Sequence, residues 1–220
     1  MNLYNPTMPL LLATSYFPPI EYFVLMAGCK NVMIDLHETY SRQTWRNRCV
    51  VLTANGAVNL TVPVEKPFGN HTKTFQVIIS SHSPWQKNHW KTIEAAYRNA
   101  PYFLFYADLV KELLFQNDHT LARVNRTILH ALVSEMEMKI NLEYTEEFVS
   151  NPGVYIDYRF AISPKPRDRQ GKKFPVFEPY YQVFEDRLGF VPNASILDLI
   201  FNLGPDASSY IQETAERIGF

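Results

Sequence analysis

Residues 9–37 read PLLLATSYFPPIEYFVLMAGCKNVMIDLH, which holds three apolar runs separated by short breaks. The first run, PLLLATSYF, has the length of a buried strand and is stopped by Pro18 and Pro19. IEYFVLMAG then predicts a short helix that ends at Gly28, and NVMIDLH predicts a second strand that ends at Asp35. A strand, a helix and a strand within about thirty residues predict a right-handed βαβ unit.

The βαβ unit also predicts where a ligand would bind. In such units, ligands gather at the edge where strands end and helices begin. The loop Tyr16–Pro19 and the strand tip at Asp35 both belong to this edge. No Gly-rich phosphate-binding fingerprint follows the first strand, so a dinucleotide site is not indicated.

The remainder of the chain alternates strand and helix patterns. WRNRCVVLTANGAVNLTVPV, residues 45–64, predicts a β-hairpin with a type I′ turn at Asn55-Gly56. A helical segment follows at about residues 84–136, and two further helical patterns close the chain. These elements predict an α/β fold: a Rossmann-like βαβ start with a mostly parallel sheet, a β-hairpin and a helical middle segment. A length of 220 residues suits a single domain over 1–220.

Composition and charge exclude several classes of partner. Hydrophobic residues make 46% of the chain and charged residues 20%, as in ordinary globular proteins. The formal net charge of -1 gives no overall field that would recruit nucleic acid or an anionic membrane. No apolar run reaches the roughly 18 residues of a spanning helix, so membrane insertion is not expected. The oligomeric state, including a homo-oligomer, stays open.

One segment near the start looks like a lipoprotein cleavage site. LMAGC, residues 25–29, has the small residues and the cysteine of such a site, but no Lys or Arg precedes Lys30. The positively charged region of a signal peptide is missing, and we therefore expect a cytoplasmic protein with an intact N-terminus. The two cysteines, Cys29 and Cys49, make no disulfide framework, and the sequence leaves open whether they pair.

The chain contains no complete catalytic or metal-binding motif. No GxSxG, Walker A, HExxH, CxxC or EF-hand pattern occurs. His37 and Glu38 follow Asp35 closely, but DLHE is not a metal motif by itself. We therefore predict no metal, and the sequence leaves the cofactor unknown.

Basic side chains provide candidates for an anion site. Arg46 and Arg48 alternate along the predicted strand and so share one face, where two guanidinium groups can clamp a phosphate or carboxylate. The alternative is an exposed face with solvated charges. A basic loop, residues 163–174, is either solvated or a lid over an anionic substrate. Its charged residues are Lys165, Arg167, Asp168, Arg169, Lys172 and Lys173.

His89 is a candidate for acid or base chemistry. It lies at helical spacing with Trp85, Ile93 and Ala96, so it faces an apolar stripe. Two interpretations stay open: a histidine that is hydrogen-bonded inside the core, and a catalytic histidine.

Asp198 stands in the apolar stretch SILDLIFNLGP, residues 195–205. Ser195 is placed to cap the helix, which makes Ser-x-x-Asp a variant capping box. The helix is apolar around nearly its full circumference and is expected to be buried. The competing hypothesis is that Asp198 also points into a pocket, with a cationic partner such as Arg48.

Several of these pieces occur together, in the same order and spacing, in one protein family. Over nearly its whole length, the chain resembles the WbqC-like family. The form YSRQTWRNRC is similar to the branch found in Bacteroides-type bacteria. The matching stretches are YFPPIEYF, IDLHETYSRQTWRNRC, NGAVNLTVPV, WQKNHWKTIEAAYRNAPYFLFYAD and YYQVFEDRLGFVPNASILDLIFNLGPDA.

The resemblance, together with the strand-face argument for Arg46, implies a set of site residues. His89 and Asp198 are the expected catalytic residues. The usual Gln-Pro ahead of the Tyr-x-Pro element is missing here, where Thr14 and Ser15 stand, so a role for that Gln is in doubt. The expected substrate-binding residues are Tyr16, Pro18, Asp35, Arg46, Asn47, Arg48 and Tyr102.

The resemblance also implies a function in bacterial surface-polysaccharide (O-antigen-like) biosynthesis. The expected protein is a transferase that binds a nucleotide- or phosphate-bearing donor and passes an amino acyl or similar group to a sugar. An alternative of a different class is a non-catalytic protein that binds a nucleotide sugar or joins an assembly of enzymes. In a third alternative, the polar residues serve only the fold.

Overall fold

The structure is a computed structural model that describes residues 8–165, 169 and 171–219. Arg167 and Asp168 of the predicted basic loop lie outside the described residues. The strands in this part are β1 (Leu10–Ala13), β2 (Asn31–Asp35), β3 (Arg48–Thr53), β4 (Gly56–Thr61), β5 (Val64–Glu65), β6 (Ile78–Ile79), β7 (Asn141–Tyr144) and β8 (Ile156–Asp157). The helices are α1 (Ile20–Ala27), α2 (Trp85–Tyr97), α3 (Phe103–Leu114), α4 (Leu121–Glu135), α5 (Glu185–Leu188), α6 (Ile196–Leu203) and α7 (Asp206–Arg217).

Four strands form one parallel sheet in the order β7-β2-β1-β8. β1 and β2 pair from Leu10 opposite Val32 to Ala13 opposite Asp35, and α1 connects them along the chain. The strand–helix–strand start is therefore present at the predicted place. The predicted α/β class with a mostly parallel sheet is confirmed.

The βαβ unit lies at the centre of the hydrophobic core. All four side chains of β1 are buried, and so is every residue of α1 from Ile20 to Met26. The run Ile196–Asn202 of α6 is buried in the same way. Helices that are apolar on all sides belong inside a protein, and α1 accordingly contacts both α6 and α7.

β3 and β4 form the predicted hairpin, but with a different turn. Thr53 pairs with Gly56, so the two loop residues are Ala54 and Asn55. Neither loop residue has a positive φ, whereas Gly56 has a φ of 108°. A type I′ turn needs a positive φ at both loop residues, so the predicted type I′ turn at Asn55-Gly56 is wrong. The glycine instead suits the bulge position that follows a type I turn.

The helical middle segment consists of α2, α3 and α4, which together cover residues 85–135. This agrees with the helical segment predicted at about 84–136. The segment belongs to the long connection between β2 and β7, which are neighbours in the sheet. None of the described helices has the length and apolar character needed to cross a membrane. The extent of a single domain over the whole chain stays a prediction.

The loop between β1 and α1 is held in place by the start of α6. Phe17 has a φ of 37°, a left-handed conformation that is strained for a phenylalanine. The Ser195 hydroxyl donates to the Phe17 carbonyl at 2.9 Å, and the Ile196 N–H donates to the Pro18 carbonyl at 2.8 Å. These two contacts fix the loop Tyr16–Pro19 at the carboxyl edge of the sheet.

The end of α6 requires a glycine for two reasons. Gly204 has a φ of 58°, which is left-handed. A Cβ atom at this position would lie only 2.4 Å from the ring of Tyr102. Tyr102 is held there because its N–H donates to the carbonyl of Phe201 at 3.0 Å.

We predict that Gly204→Ala lowers the free energy of unfolding by about 2–6 kcal/mol, since backbone strain and overpacking each cost roughly 1–3 kcal/mol. Gly189→Ala is the matched control. Its φ is 65°, but no atom lies within 4 Å of an added Cβ. The control should therefore show the strain cost alone, in urea denaturation of both variants. Equal losses for the two variants would contradict close packing against Tyr102.

Candidate functional site

The carboxyl ends of β2 and β8 are joined by one buried arginine. Arg159 Nη1 donates to Asp35 Oδ2 at 2.6 Å, and Arg159 Nη2 donates to Asp157 Oδ2 at 2.8 Å. Only 3% of the Arg159 side chain is exposed, and none of Asp35 is. Because β1 lies between β2 and β8, the guanidinium spans the end of the central strand.

The loops that follow the strands complete this network. The His37 N–H and the Thr145 hydroxyl donate to Asp35 Oδ1, at 2.8 and 3.2 Å. Arg159 Nη1 also donates to the carbonyl of Val149 at 2.9 Å. The hydrogen bonds of the buried Asp35 carboxylate therefore come from three different segments, which fixes their relative positions.

A second buried ion pair lies beside the first. Arg46 Nε and Nη2 donate to the two carboxylate oxygens of Glu38, both at 2.6 Å, and both side chains are buried. Arg46 Nη2 also lies 3.4 Å from the carbonyl oxygen of Arg159, so the two pairs touch. A bidentate pair of this kind fixes the plane of the guanidinium.

The arginine pair is arranged differently from the predicted strand face. Arg46 lies in a 3₁₀ turn, Trp45–Asn47, and β3 begins only at Arg48. The prediction that Arg46 and Arg48 alternate along one strand is therefore wrong. The turn is stabilised from α4, because the Asn125 side-chain amide donates to the Arg46 carbonyl at 2.8 Å.

Three arginines nevertheless lie close to one buried tyrosine. Burial raises the pKa of Tyr40 to about 12, and the positive charges of Arg46, Arg42 and Arg48 act in the opposite direction. Of these three, Arg46 is paired with Glu38. Arg48 Nε is buried and has no hydrogen-bond partner among the described residues.

A cavity of about 220 Å³ opens beside Arg46. Two of its lining residues are basic, three carry hydroxyl groups and one is aromatic, and no carboxylate of the described residues lines it. This composition suits an anion, because hydroxyl and guanidinium groups donate hydrogen bonds to phosphate and carboxylate. The lining residues include Arg46, Lys165, Ser41, Thr44, Ser163 and Phe160.

The matched family covers most of this edge of the sheet but ends before Ser163 and Lys165 of the cavity. Residues 14–162, more than half of the chain, match the family described as the WbqC-like protein family. The chain belongs to that family. The uncharacterized protein Rv1507c of Mycobacterium tuberculosis is 29% identical over 231 residues, which covers 92% of this chain and 96% of the relative. No solved structure matches the chain.

The other predicted site residues of this WbqC-like protein lie in the packing of the fold. The Asn47 side-chain amide donates to the Val62 carbonyl at 2.9 Å. Pro18 accepts a hydrogen bond from the start of α6, and Tyr102 packs on Gly204. The structure thus brings Asp35 and Arg46 together at the carboxyl edge, with Arg48 close to Arg46.

His89 and Tyr16 form a separate buried pair. The Tyr16 hydroxyl lies 2.9 Å from His89 Nδ1, and the backbone of Thr61 also hydrogen-bonds to the histidine. Burial lowers the pKa of His89 from its ordinary value of 6.5 to about 4. The imidazole is therefore neutral at pH 7, and His89 is not among the residues that line the cavity beside Arg46.

Asp198 has neutral partners in place of the predicted arginine. The Tyr180 hydroxyl donates to Asp198 Oδ2 at 2.5 Å, and the Gln182 side-chain amide donates to the same oxygen at 2.8 Å. The prediction of Arg48 as its partner is wrong, and burial raises the pKa of the Asp198 carboxyl. Ser195 caps α6 as predicted, since its Oγ accepts from the Leu197 N–H at 3.3 Å.

The Asp198 side chain does not reach back to close the predicted capping box. The backbone N–H of Ser195 donates instead to the Val50 carbonyl at 2.9 Å. This bond ties the start of α6 to β3. The carboxyl group consequently belongs to the Tyr180 and Gln182 cluster, and Ser195 caps the helix alone.

Two residues of the basic loop have contacts in different parts of the structure. Lys165 lines the cavity beside Arg46, and Arg169 forms an ion pair with Glu21, a fully buried residue of the first turn of α1. Cys29 and Cys49, whose pairing the sequence left open, form no disulfide. The described residues contain no group of three or more His, Cys, Asp or Glu placed to hold a metal ion.

The buried ion pairs form a charged edge that consists of Asp35, Glu38, Arg46, Asp157 and Arg159. Three of these residues were not predicted as site residues from the sequence. Asp157 is the last residue of β8, and Arg159 lies two residues after it. β8 has only two residues and lacks the apolar run that would predict a strand. Glu38 was considered only as part of a metal motif. The spacing Asp-x-Arg of Asp157 and Arg159 predicts no site by itself. The role of Arg159 depends on its contact with Asp35, which lies 124 residues earlier in the chain.

We predict that His89 makes stability depend on pH between about 6.5 and 4. In this range the unfolded chain binds a proton at His89 that the folded chain does not bind, so the free energy of unfolding falls as pH falls. The lowered pKa corresponds to a loss of about 3 kcal/mol by pH 4.

The check compares urea denaturation of the natural chain and His89→Gln at pH 7 and pH 4. Glutamine keeps hydrogen-bonding capacity but does not titrate, so the variant should lose less stability on acidification. Parallel losses in both proteins would mean that His89 titrates near its ordinary pKa, as a catalytic base near neutrality would.

Proposed function

We propose that this protein binds the anionic group of a nucleotide- or phosphate-bearing donor at the carboxyl edge of its sheet. Arg46 and Lys165, which line the cavity beside Arg46, hold the anion together with Arg48, which does not line the cavity and turns toward it when the anion binds. In this proposal the protein is a transferase of surface-polysaccharide biosynthesis that passes an amino acyl or similar group to a sugar. It acts in the cytoplasm, and it belongs to the Bacteroides-type branch of the family.

The main support for the proposal is the unsatisfied side chain of Arg48. Its buried Nε has no hydrogen-bond partner among the described residues, although Arg42 and Arg46 lie near the same tyrosine. A buried donor without an acceptor costs about 1–3 kcal/mol, and more when the group is charged. A bound phosphate or carboxylate would supply the acceptor and balance the charge.

The charge balance of the edge supports the same conclusion. Arg159 is balanced by two aspartates, and Arg46 is balanced by Glu38. None of the ion pairs among the described residues includes Arg42, Arg48 or Lys165. The positive charge that remains is therefore available to a ligand, while the neutralised arginines keep the frame rigid.

The transferase step needs a proton acceptor, for which we propose His89 and Asp198. Both side chains are buried, so either one would act only after α2 or α6 moved relative to the edge. The same burial favours a second candidate function, in which the protein binds a nucleotide sugar without catalysis or joins an assembly of enzymes. Turnover of a bound donor distinguishes these two functions.

The proposal predicts that Arg48→Gln weakens binding of inorganic phosphate and of nucleoside phosphates at least tenfold. A hydrogen bond to a charged group contributes about 1.5–3 kcal/mol, which corresponds to that loss. Isothermal titration calorimetry measures the affinity. Arg98→Gln, which removes the same charge from the exposed end of α2, should bind like the natural chain.

Two outcomes would count against the proposal. If Arg48→Gln binds phosphate normally but melts at a lower temperature, Arg48 serves the fold. If neither protein binds any anionic ligand, the cavity is not an anion site.

A further inference from the structure

Two exposed aromatic rings stand on the charged edge. Phe148 is 43% exposed and Phe160 is 52% exposed. The guanidinium of Arg159 lies 5.3 Å from the centre of the Phe148 ring and 5.5 Å from the centre of the Phe160 ring. Arg46 lies 5.9 Å from the Phe160 ring. Both rings are therefore in cation–π range of a buried arginine.

These arginines cannot easily move away from the rings. Arg159 is held by two aspartates and by the carbonyl of Val149, and Arg46 is held by Glu38. Each ring consequently rests on a fixed positive charge while much of its surface faces solvent. Single exposed apolar side chains are ordinary in proteins, so the position of these two rings is what matters.

Phe160 has a position that exposed rings elsewhere lack. It lines the cavity that contains Arg46 and Lys165. Phe105 of α3 is more exposed, at 68%, but it does not line this cavity. The aromatic surface at the edge therefore continues directly from the anion site.

The size of the cavity limits what enters it. Its volume of about 220 Å³ is below the roughly 300–1,000 Å³ of sites that enclose whole drug-sized ligands. This volume suits a phosphate group better than a complete nucleotide. The rest of a phosphate-bearing ligand must leave the cavity past its wall, where the Phe160 ring lies.

We propose that the ligand is a nucleoside phosphate whose base stacks on Phe160, with Phe148 extending the aromatic surface. This inference rests on the proposed function, because the phosphate occupies the same anion site. A flat base suits an exposed ring, since every base has a π-face and stacking needs no particular hydrogen-bonding partner. A sugar phosphate without a base would use the cavity but not the rings.

The test compares phosphate-bearing ligands with and without a base. Isothermal titration calorimetry on the full chain measures AMP, UMP, ribose 5-phosphate and inorganic phosphate. The nucleotides should bind about tenfold or more tightly than ribose 5-phosphate, because stacking of one base on an aromatic side chain contributes that much affinity.

Variants identify the ring that is responsible. Phe160→Ala should weaken AMP and UMP about tenfold more than it weakens ribose 5-phosphate. Phe105→Ala, which removes an exposed ring on α3, should change none of the affinities. Circular dichroism and melting temperature establish that each variant is folded. If Phe160→Ala does not fold, Phe160→Leu keeps an apolar side chain without the ring and should show the same selective loss.

The outcomes separate this inference from the proposed function. Equal affinity of the natural chain for the nucleotides and ribose 5-phosphate would overturn the stacking inference while the anion site stands. A loss of ribose 5-phosphate binding in Phe160→Ala as large as the loss of AMP binding would also overturn it, since Phe160 would then only shape the cavity. Failure of all four ligands to bind would overturn both.

Discussion

The carboxyl edge of the sheet depends on the ion pairs that Arg159 forms with Asp35 and Asp157. Parallel strands end at the same edge, and here β2 and β8 both end in an aspartate. Two carboxylates so near the core would repel each other and lose hydration, and Arg159 offsets both effects by binding each of them. Removing one partner of such a buried pair costs about 3–5 kcal/mol. The charged groups therefore define how the strand ends and their loops are arranged.

The neighbouring features follow from that arrangement. The carbonyl of Arg159 lies against Arg46, whose charge Glu38 balances, and the ring of Phe160 lies over both guanidinium groups. With these arginines neutralised, Arg48 and Lys165 remain outside the ion pairs of the described residues. Lys165 lines the small cavity, and Arg48 acts on Tyr40 together with Arg46. An anion bound there would balance the positive charge that the described residues leave unpaired. If the anion is the phosphate of a nucleotide, the exposed ring of Phe160 offers a surface on which the base can stack.

The sequence predicted the elements whose signals are local. β1, α1 and β2 were found because Pro18, Pro19 and Gly28 separate apolar runs, and the Ser195 cap was found from its position before an apolar helix. The site could not be predicted in the same way, because its partners are distant in the chain. Period-2 alternation placed Arg46 on a strand, whereas contacts from Glu38 and Asn125 hold it in a turn. Asp198 likewise has partners that no spacing indicates, Tyr180 and Gln182.

A crystal structure of the full chain grown with AMP tests the central claim most directly, which is that the charged edge is built to bind a phosphate. The account predicts phosphate oxygens within about 3 Å of nitrogen atoms of Arg46, Arg48 or Lys165, with the adenine over the ring of Phe160. The ion pairs of Arg159 should be unchanged by the ligand. AMP bound at a different surface, with Arg48 still lacking an acceptor, would contradict the account.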